Sequence, residues 1–204
     1  MLYLIGVLIL KPILLVYGRP KVYNRAALKR KGKVIYVSNH VKMSDPLWIV
    51  TITTRFIHFM AKSTLFSSKL MRAIFRMLLC FPVNQRTADT KAIKQAVELL
   101  NKGKAFGIFP EGHRSSTERD MDALDKGCAF IALRADAPIV PIYIDQRPHW
   151  YNRQRYMIGE PIGMERKEGE RASLADIDRI TETLYQKELK LKSMMMEYNS
   201  KRRK

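Results

Sequence analysis

The sequence predicts an α/β fold in which a mostly parallel central sheet is flanked by helices. Short runs of β-branched and aromatic residues, such as residues 34–37 and 105–109, are typical of buried strands. Helix-periodic segments such as residues 88–101 separate these runs, and this alternation favours parallel strands. The chain has 204 residues, of which 47% are apolar, and this is enough for one domain with a sizeable core.

The first stretch, residues 1–17, carries a single charge on Lys11 and is interrupted by Pro12. Because a spanning helix needs about 20 apolar residues, we predict a short apolar helical anchor, of one or two helices, in one membrane leaflet. Basic residues over 19–33 favour the cytoplasmic face of the cell membrane, with the protein monotopic through its N-terminus. A helix packed on the core is the alternative. The predicted regions are an anchor and basic linker over 1–33, an α/β domain over 34–200 and a basic tail over 201–204.

Each element of the α/β domain is predicted from a local pattern. Strands are predicted at apolar runs, over residues 34–37, 57–61, 80–83, 105–109, 139–144 and 156–159. Helices are predicted over residues 46–54, 63–79, 88–101, 126–135 and 174–198. Asp45 before Pro46 predicts the N-cap of the first of these helices, and Gly103 lies just beyond the end of the third.

Two of these elements carry a further expectation. Pro141 cannot donate to a β-ladder, so the strand over residues 139–144 is predicted to lie at a sheet edge or to have its proline at the strand start. The helix over residues 63–79 carries basic residues among apolar ones, and Ser67 and Ser68 could break it. A basic amphipathic helix suits a membrane surface, and an ordinary core-facing helix is the alternative.

The composition restricts the partners and cofactors. The net charge of +18, from 37 basic and 19 acidic residues, predicts a polyanionic partner: nucleic acid, an anionic membrane or phosphate-bearing substrates. The basic runs lack interleaved aromatic residues, so we expect no nucleic acid partner. Cys80 and Cys128 lie in apolar segments and are predicted to be buried thiols. Four histidines without ligand spacing predict no metal site.

Polar side chains follow the predicted strands at the point where each strand ends. Asn39 and His40 follow the first strand, and Lys62 follows the second. The carboxyl ends of parallel strands meet at one edge of a sheet, so these side chains and two later clusters are expected to converge in one crevice. The later clusters are Asn84-Gln85-Arg86 after residues 80–83, and Glu111, Gly112 and Arg114 after residues 105–109.

The residues of this crevice suit acid–base chemistry on a phosphorylated molecule. His40 is the candidate base, and Asp45 is the acid expected to orient its ring and fix its tautomer. Gly112 allows close approach of the backbone to a ligand, and Arg114 offers two donors to a phosphate. For a lone H-x4-D pattern, a loop histidine beside a capping aspartate would be the simpler interpretation. The sequence lacks nucleophile-elbow, P-loop, dinucleotide and zinc-protease motifs.

Four motifs resemble, in order and spacing, those of the glycerolipid acyltransferase family: NHVKMSD at residues 39–45, FPVNQ at 81–85, FPEGHRS at 109–115 and APIVPI at 137–142. Lys62 also fits, and the resemblance runs from about residue 18 to residue 163. His113 stands where the family has threonine, and Gln85 stands where it has arginine, with Arg86 one place later. Chain length and the short apolar N-terminus are most similar to the 1-acyl-sn-glycerol-3-phosphate branch of that family.

The resemblance implies the family's fold and an acyl-transfer reaction. His40 would take the proton from the 2-hydroxyl of lysophosphatidic acid, and Asp45 would orient the His40 ring. The hydroxyl oxygen would then attack the thioester of acyl-CoA or acyl-carrier protein, giving phosphatidic acid. No cofactor is implied, and because a thiolate leaves easily no covalent enzyme intermediate is required. The partners implied are membrane lipids, lysophosphatidic acid and the acyl carrier.

The resemblance also assigns roles to the remaining polar residues of the crevice. The candidates are Lys62, Arg86 and Arg114 for the phosphate, the backbone near Gly112 for the oxyanion, Glu111 to fix Arg114 or its loop, and Asn39 and Gln85 as further contacts. Glycerol 3-phosphate or another lysophospholipid is an alternative acceptor. A lipid ester or thioester hydrolase that uses the same histidine, and a non-catalytic membrane or nucleic-acid binding module, are alternatives from other functional classes.

Overall fold

The computed structural model describes residues 11–16, 18–53, 55–84, 89–110, 126–145, 154–164 and 173–201. Within these ranges the chain forms one seven-stranded sheet with helices packed on both faces. The predicted α/β class, with a mostly parallel sheet flanked by helices, is therefore confirmed.

The strands and helices follow one another as the sequence patterns predict. The described strands are β1 (Lys21–Tyr23), β2 (Val34–Ser38), β3 (Ile57–Lys62), β4 (Cys80–Val83), β5 (Ala105–Ile108), β6 (Ile139–Ile144) and β7 (Arg155–Ile158). The described α-helices with defined bounds are α1 (Asp45–Ile52), α2 (Lys69–Met77), α3 (Thr90–Asn101), α4 (Lys126–Ala135) and α5 (Leu174–Lys201). Short 3₁₀ helices cover Arg25–Lys29 and Ser63–Phe66, and residues 11–16 are also helical.

The sheet places one end of each parallel strand at a common edge. The strand order is β1-β7-β6-β2-β5-β3-β4, and every neighbouring pair is parallel except β6 and β7. The carboxyl ends of β2 to β6 therefore share one edge with the amino ends of β1 and β7. We call this the carboxyl edge, and it is where polar residues follow the parallel strands.

Apolar side chains cover both faces of the sheet. β2 is buried along its whole length, with Ile35 and Val37 packed toward α3, α4 and α5. Val34 and Tyr36 point to the opposite face, where α1, α2 and both 3₁₀ helices pack. An uninterrupted apolar run is therefore what this strand needs, because it is buried on both sides.

The predicted helix over residues 63–79 is two elements. The 3₁₀ helix ends at Phe66, and α2 begins at Lys69. Ser68 is the N-cap of α2, and its hydroxyl accepts a hydrogen bond from the Met71 backbone N–H (3.1 Å). The side-chain cap makes Ser68 a better start than middle of a helix, which confirms the predicted break.

The edge position predicted from Pro141 is wrong, because β6 lies between β7 and β2. The Pro141 carbonyl accepts from the Gly159 backbone N–H (2.8 Å), so the backbone of this residue faces β7. Pairing with β7 stops at Ile158 and resumes only at the bridge between Ile139 and Ile162. The hydrogen bond that Pro141 cannot donate would therefore be directed beyond the end of β7. For this reason an interior strand tolerates the proline.

Residues predicted as a basic linker contribute to the sheet. β1 pairs in parallel with β7, Leu28 is buried, and the Tyr36 hydroxyl donates to the Leu28 carbonyl (3.2 Å). The packed domain therefore begins before the predicted boundary at residue 34. A three-residue edge strand surrounded by basic residues is too short to leave a periodic signal in the sequence.

The apolar N-terminus lies partly outside the described residues, because residues 1–10 and 17 are not among them. The helical residues 11–16 lie beside α1, where the Lys11 ammonium donates to the Thr53 carbonyl (2.6 Å). Gly18 lies against the Trp48 ring, so close that a Cβ would be 2.0 Å from it. No helix in the described ranges is long and apolar enough to cross a membrane. The membrane anchor over residues 1–17 stays a prediction.

Candidate active site

His40 and Asp45 meet at the carboxyl edge, directly after β2. The distance from His40 Nδ1 to Asp45 Oδ2 is 3.1 Å. The Asp45 side chain is fully buried, whereas 20% of the His40 side chain is exposed. The pair combines an orienting carboxylate inside the protein with an imidazole that is reachable from outside. Because Nδ1 faces the carboxylate, Nε2 is the ring nitrogen left for a substrate.

The loop between β2 and α1 is folded around the Asp45 carboxylate. Oδ2 also accepts hydrogen bonds from the backbone N–H groups of Val41 (2.7 Å) and Lys42 (2.6 Å). These hydrogen bonds fix the position of the carboxylate in the loop. The sequence places Asp45 at the N-cap of α1, but Ser44 holds that position and Asp45 is the first helical residue. The carboxylate turns back into the loop instead of capping the helix, and this brings it to His40.

Asn39 fixes the end of β2 against β6. Its side-chain amide donates to the Ile144 carbonyl (3.0 Å) and accepts from the Ile144 N–H (2.7 Å). The residue is buried, and its two amide heavy atoms are both engaged by backbone. Asn39 therefore positions the residue that follows it, His40, and these bonds differ from the substrate contact that its place in the motif suggests.

The His40 ring stacks on Phe109, the residue that follows β5. The two ring centroids are 4.2 Å apart and the planes differ by 24°. Phe109 is in turn stacked on Phe59 of β3, with centroids 6.1 Å apart. The sequence patterns give Phe109 no role of its own. The signal that locates it is the parallel pairing of β2 with β5, which aligns Val37 with Ile108 and brings the following residues to one edge.

Tyr156 of β7 is a second buried group near the pair that sequence patterns leave unassigned. Its hydroxyl and Asp45 Oδ1 are both buried and have no hydrogen-bond partner among the described residues. Burial raises the pKa of Tyr156, and the negative charge of Asp45 raises it further. A neutral phenol therefore lies within electrostatic reach of the carboxylate.

Of the remaining predicted site residues, the structure describes only Lys62. Lys62 ends β3, is exposed, and lies at the carboxyl edge. β5 separates β3 from β2, so at about 4.8 Å per strand Lys62 begins about 10 Å from the His40 strand. The other predicted contacts lie outside the described residues: Gln85, Arg86, Glu111, Gly112 and Arg114.

The chain on either side of Gln85 and Arg86 is tied together. The Asn84 backbone N–H donates to Asp89 Oδ2 (2.9 Å), and Asp89 Oδ1 accepts from the Ala92 N–H at the start of α3 (3.0 Å). These hydrogen bonds lower the pKa of Asp89. Asn84 at the end of β4 is therefore tied to Asp89 at the start of α3, beside the carboxyl edge.

Two other ionisable groups lie at the opposite edge of the sheet. Cys80 begins β4, and burial raises the pKa of its thiol to about 12. His58 is the second residue of β3, and burial lowers its pKa. Neither follows a parallel strand, so neither meets the carboxyl edge. Within the part of the chain that the structure describes, no cluster of three or more histidine, cysteine or acidic residues could hold a metal ion.

Comparison with known proteins identifies the family. The family model described as Acyltransferase matches residues 19–145, which is more than half of the chain. The chain belongs to the acyltransferase family. The family resemblance of the four motifs is thereby confirmed, and so is the expectation that the protein is an enzyme.

Two curated relatives of this acyltransferase carry the name 1-acyl-sn-glycerol-3-phosphate acyltransferase. The protein from Bacillus subtilis is 31% identical over 159 residues, which cover 75% of this chain and 78% of that protein. The protein from Borreliella burgdorferi is 28% identical over 134 residues, which cover 64% of this chain and 50% of that protein.

A solved structure shares the fold of this acyltransferase. The crystal structure of the 1-acyl-sn-glycerophosphate acyltransferase PlsC from Thermotoga maritima superposes with a TM-score of 0.64. The alignment covers 91% of this chain and 76% of that one, at 21% sequence identity. At this identity the similarity shows the fold and no more.

Proposed function

We propose that this acyltransferase moves a fatty acyl chain from acyl-CoA or acyl-carrier protein to the 2-hydroxyl of 1-acyl-sn-glycerol 3-phosphate. The product would be phosphatidic acid, an intermediate of phospholipid synthesis. The names of the relatives from Bacillus subtilis and Borreliella burgdorferi support this acceptor. The observation that carries the chemistry is the contact between His40 Nδ1 and Asp45 Oδ2, at 3.1 Å, which leaves Nε2 free to act as a base.

In the proposed reaction His40 acts twice. Nε2 takes the proton of the acceptor hydroxyl as its oxygen forms a bond to the thioester carbonyl carbon. The resulting imidazolium is stabilised by the Asp45 carboxylate, which accepts the Nδ1 proton in a hydrogen bond. The tetrahedral intermediate then collapses, the carbon–sulfur bond breaks, and the departing sulfur takes the proton back from Nε2. No covalent bond to the enzyme is required.

The acceptor phosphate is assigned to basic side chains, of which Lys62 is described by the structure and lies at the carboxyl edge. Lys62 is exposed there, and its ammonium on a flexible stem suits a dianionic phosphate. Arg86 and Arg114 are proposed as further phosphate ligands from their places in the sequence motifs, and backbone N–H groups near Gly112 as donors to the oxyanion. Removing one such donor typically costs about 10²–10³-fold in kcat.

We further propose that the protein works on the cytoplasmic face of a membrane, held through its N-terminus. Lysophosphatidic acid and phosphatidic acid lie in the bilayer, whereas the thioester carriers are soluble. Apolar side chains exposed on the helix layer beside α1 support this location, including Val16 (67% exposed) and Met43 (60% exposed). Met43 belongs to the loop between His40 and Asp45, so contact through this side brings the candidate base to the lipid.

The same helix layer contains α2, which strengthens the proposed membrane contact. No residue of α2 is buried, and Leu70 is 67% exposed. The helix also carries three positive charges, on Lys69, Arg72 and Arg76. α2 also begins near the carboxyl edge, because it follows β3 and leads back to β4. Each basic residue close to an anionic surface contributes about 1 kcal/mol to binding.

A product assay with purified protein tests the proposed reaction. Lysophosphatidic acid is supplied in mixed micelles with acyl-CoA and, separately, acyl-carrier protein thioesters of several chain lengths. We expect phosphatidic acid in amounts equal to the thiol released. Release of free fatty acid without phosphatidic acid would instead indicate a hydrolase. Faster transfer to glycerol 3-phosphate or to another lysophospholipid would overturn the proposed acceptor.

A further inference from the structure

A stack of aromatic rings leads from the interior of the sheet to His40. Its first ring is Phe59 of β3, which lies over its strand partner Gly107 of β5. A Cβ on Gly107 would lie 2.2 Å from Cε1 of the Phe59 ring. Only glycine therefore allows the Phe59 ring to lie flat against this part of the strand.

The Phe59 ring supports the Phe109 ring, and Phe109 supports His40. The planes of the two phenylalanine rings differ by 14°, and the His40 plane differs from that of Phe109 by 24°. Phe59 is 2% exposed, so the base of the stack is fixed in the core. The His40 ring is the last member of the stack, is partly exposed, and carries the proposed chemistry.

The Asp45 hydrogen bond alone does not fix the plane of the imidazole. It holds Nδ1 at one point, 3.1 Å from Oδ2, and the ring can still tilt about that contact. A flat partner at 4.2 Å removes this freedom and aims Nε2 in one direction. The face of an aromatic ring also attracts a cation, so Phe109 favours the imidazolium that forms when His40 accepts a proton.

We propose that Phe109, backed by Phe59 over Gly107, is a positioning residue that sets the plane of the His40 ring for proton abstraction. This inference rests on the proposed function, in which His40 is the base. It assigns the phenylalanine of the FPEGHRS motif a role in the rate of the chemical step. It assigns Gly107 a role through the space that its missing side chain leaves.

Phe109→Leu is the direct test, because leucine keeps an apolar side chain but removes the flat ring. We expect kcat for acyl transfer to fall about 3- to 10-fold, which corresponds to the usual strength of a ring–ring contact. The KM values for acceptor and donor should stay within about twofold, since the proposed role of Phe109 is toward His40 and not toward a substrate. Phe109→Tyr keeps the ring and should restore most of kcat.

Phe106→Leu is the matched control. Phe106 precedes Gly107 in β5, is fully buried and stacks on Phe81 on the other face of the sheet (centroids 6.1 Å apart). Its replacement should lower the thermal midpoint without the selective loss of kcat. Phe59→Leu removes the second ring and leaves Phe109 in place, so it gives an independent measurement if Phe109→Leu folds poorly. We expect a smaller loss of kcat in the same direction.

Two outcomes would overturn the positioning role of Phe109. One is a folded Phe109→Leu protein with the parental kcat. The other is a rise in KM with unchanged kcat, which would make Phe109 a substrate contact. His40→Ala, measured in parallel, separates these failures from failure of the proposed function. An active His40→Ala protein would refute the role of His40 as the base. An inactive His40→Ala protein, together with normal turnover by Phe109→Leu, would refute only the positioning role of Phe109.

Discussion

Replacing Asp45 by asparagine should remove the charge beside His40 while preserving the loop. Oδ2 is the atom that accepts from His40 and from the Val41 and Lys42 backbone N–H groups. An amide oxygen can occupy that place and accept the same bonds. The amide nitrogen would then replace Oδ1, which is buried near the Tyr156 hydroxyl and has no partner among the described residues. We therefore expect the variant to fold.

The size of the effect follows from the charge that is lost. Proton abstraction creates an imidazolium about 4 Å from the carboxylate, and at an effective dielectric constant of about 20 this attraction amounts to about 4 kcal/mol. Each 1.36 kcal/mol is a factor of ten in rate. The exposed fifth of the His40 side chain admits some screening by water. Asp45→Asn should therefore lower kcat by about 10²- to 10³-fold.

The assay is phosphatidic acid formation at saturating acceptor and thioester, with thermal unfolding measured on the same preparation. Asp136→Asn is the matched control, since it makes the same substitution in an exposed ion pair with Lys33 (3.2 Å). It should leave kcat within about twofold. An Asp45→Asn protein that retains more than about one third of the parental kcat would refute the electrostatic role of this carboxylate.

Four further results are expected. Asn39→Ala should lower the free energy of unfolding by about 2–4 kcal/mol in urea titration, because it leaves both backbone groups of Ile144 unpaired; an unchanged midpoint would contradict this role. Lys62→Ala should raise the acceptor KM more than the donor KM, and equal effects would reject phosphate binding. Cys80, with a pKa of about 12, should resist alkylation at pH 8 in the folded protein, and rapid loss of its thiol would show that it is accessible. Deleting residues 1–17 should make vesicle binding salt-labile; binding that survives high salt would place the anchor elsewhere.

The sequence was a good guide to elements whose signal is local. β2, β5 and α4 are uninterrupted apolar or periodic runs, and their bounds agree with the predicted ones within one residue. β1 escaped prediction because three residues beside basic neighbours have no periodicity. The edge position predicted from Pro141 was wrong because the effect of the missing N–H depends on where the neighbouring strand stops, and no local sequence pattern shows this.

The candidate site divides in the same way. His40 and Asp45 could be paired from their spacing, because a short loop after a strand returns to the strand end. The positions of Phe109 and Tyr156 depend on which strands become neighbours of β2 and β6, and that order is set by the whole sheet. The bidentate bond of Asn39 to Ile144 spans 105 residues, so it too is a product of tertiary structure.

The central claim is that His40 is the base of an acyl transfer, and the most direct measurement is the rate of phosphatidic acid formation by His40→Ala. General base catalysis typically contributes about 10²–10⁴-fold. We therefore expect a loss of at least about 10²-fold, with thermal midpoint and vesicle binding unchanged, since one fifth of the His40 side chain is exposed. Turnover within about threefold of the parental enzyme would contradict the proposed mechanism.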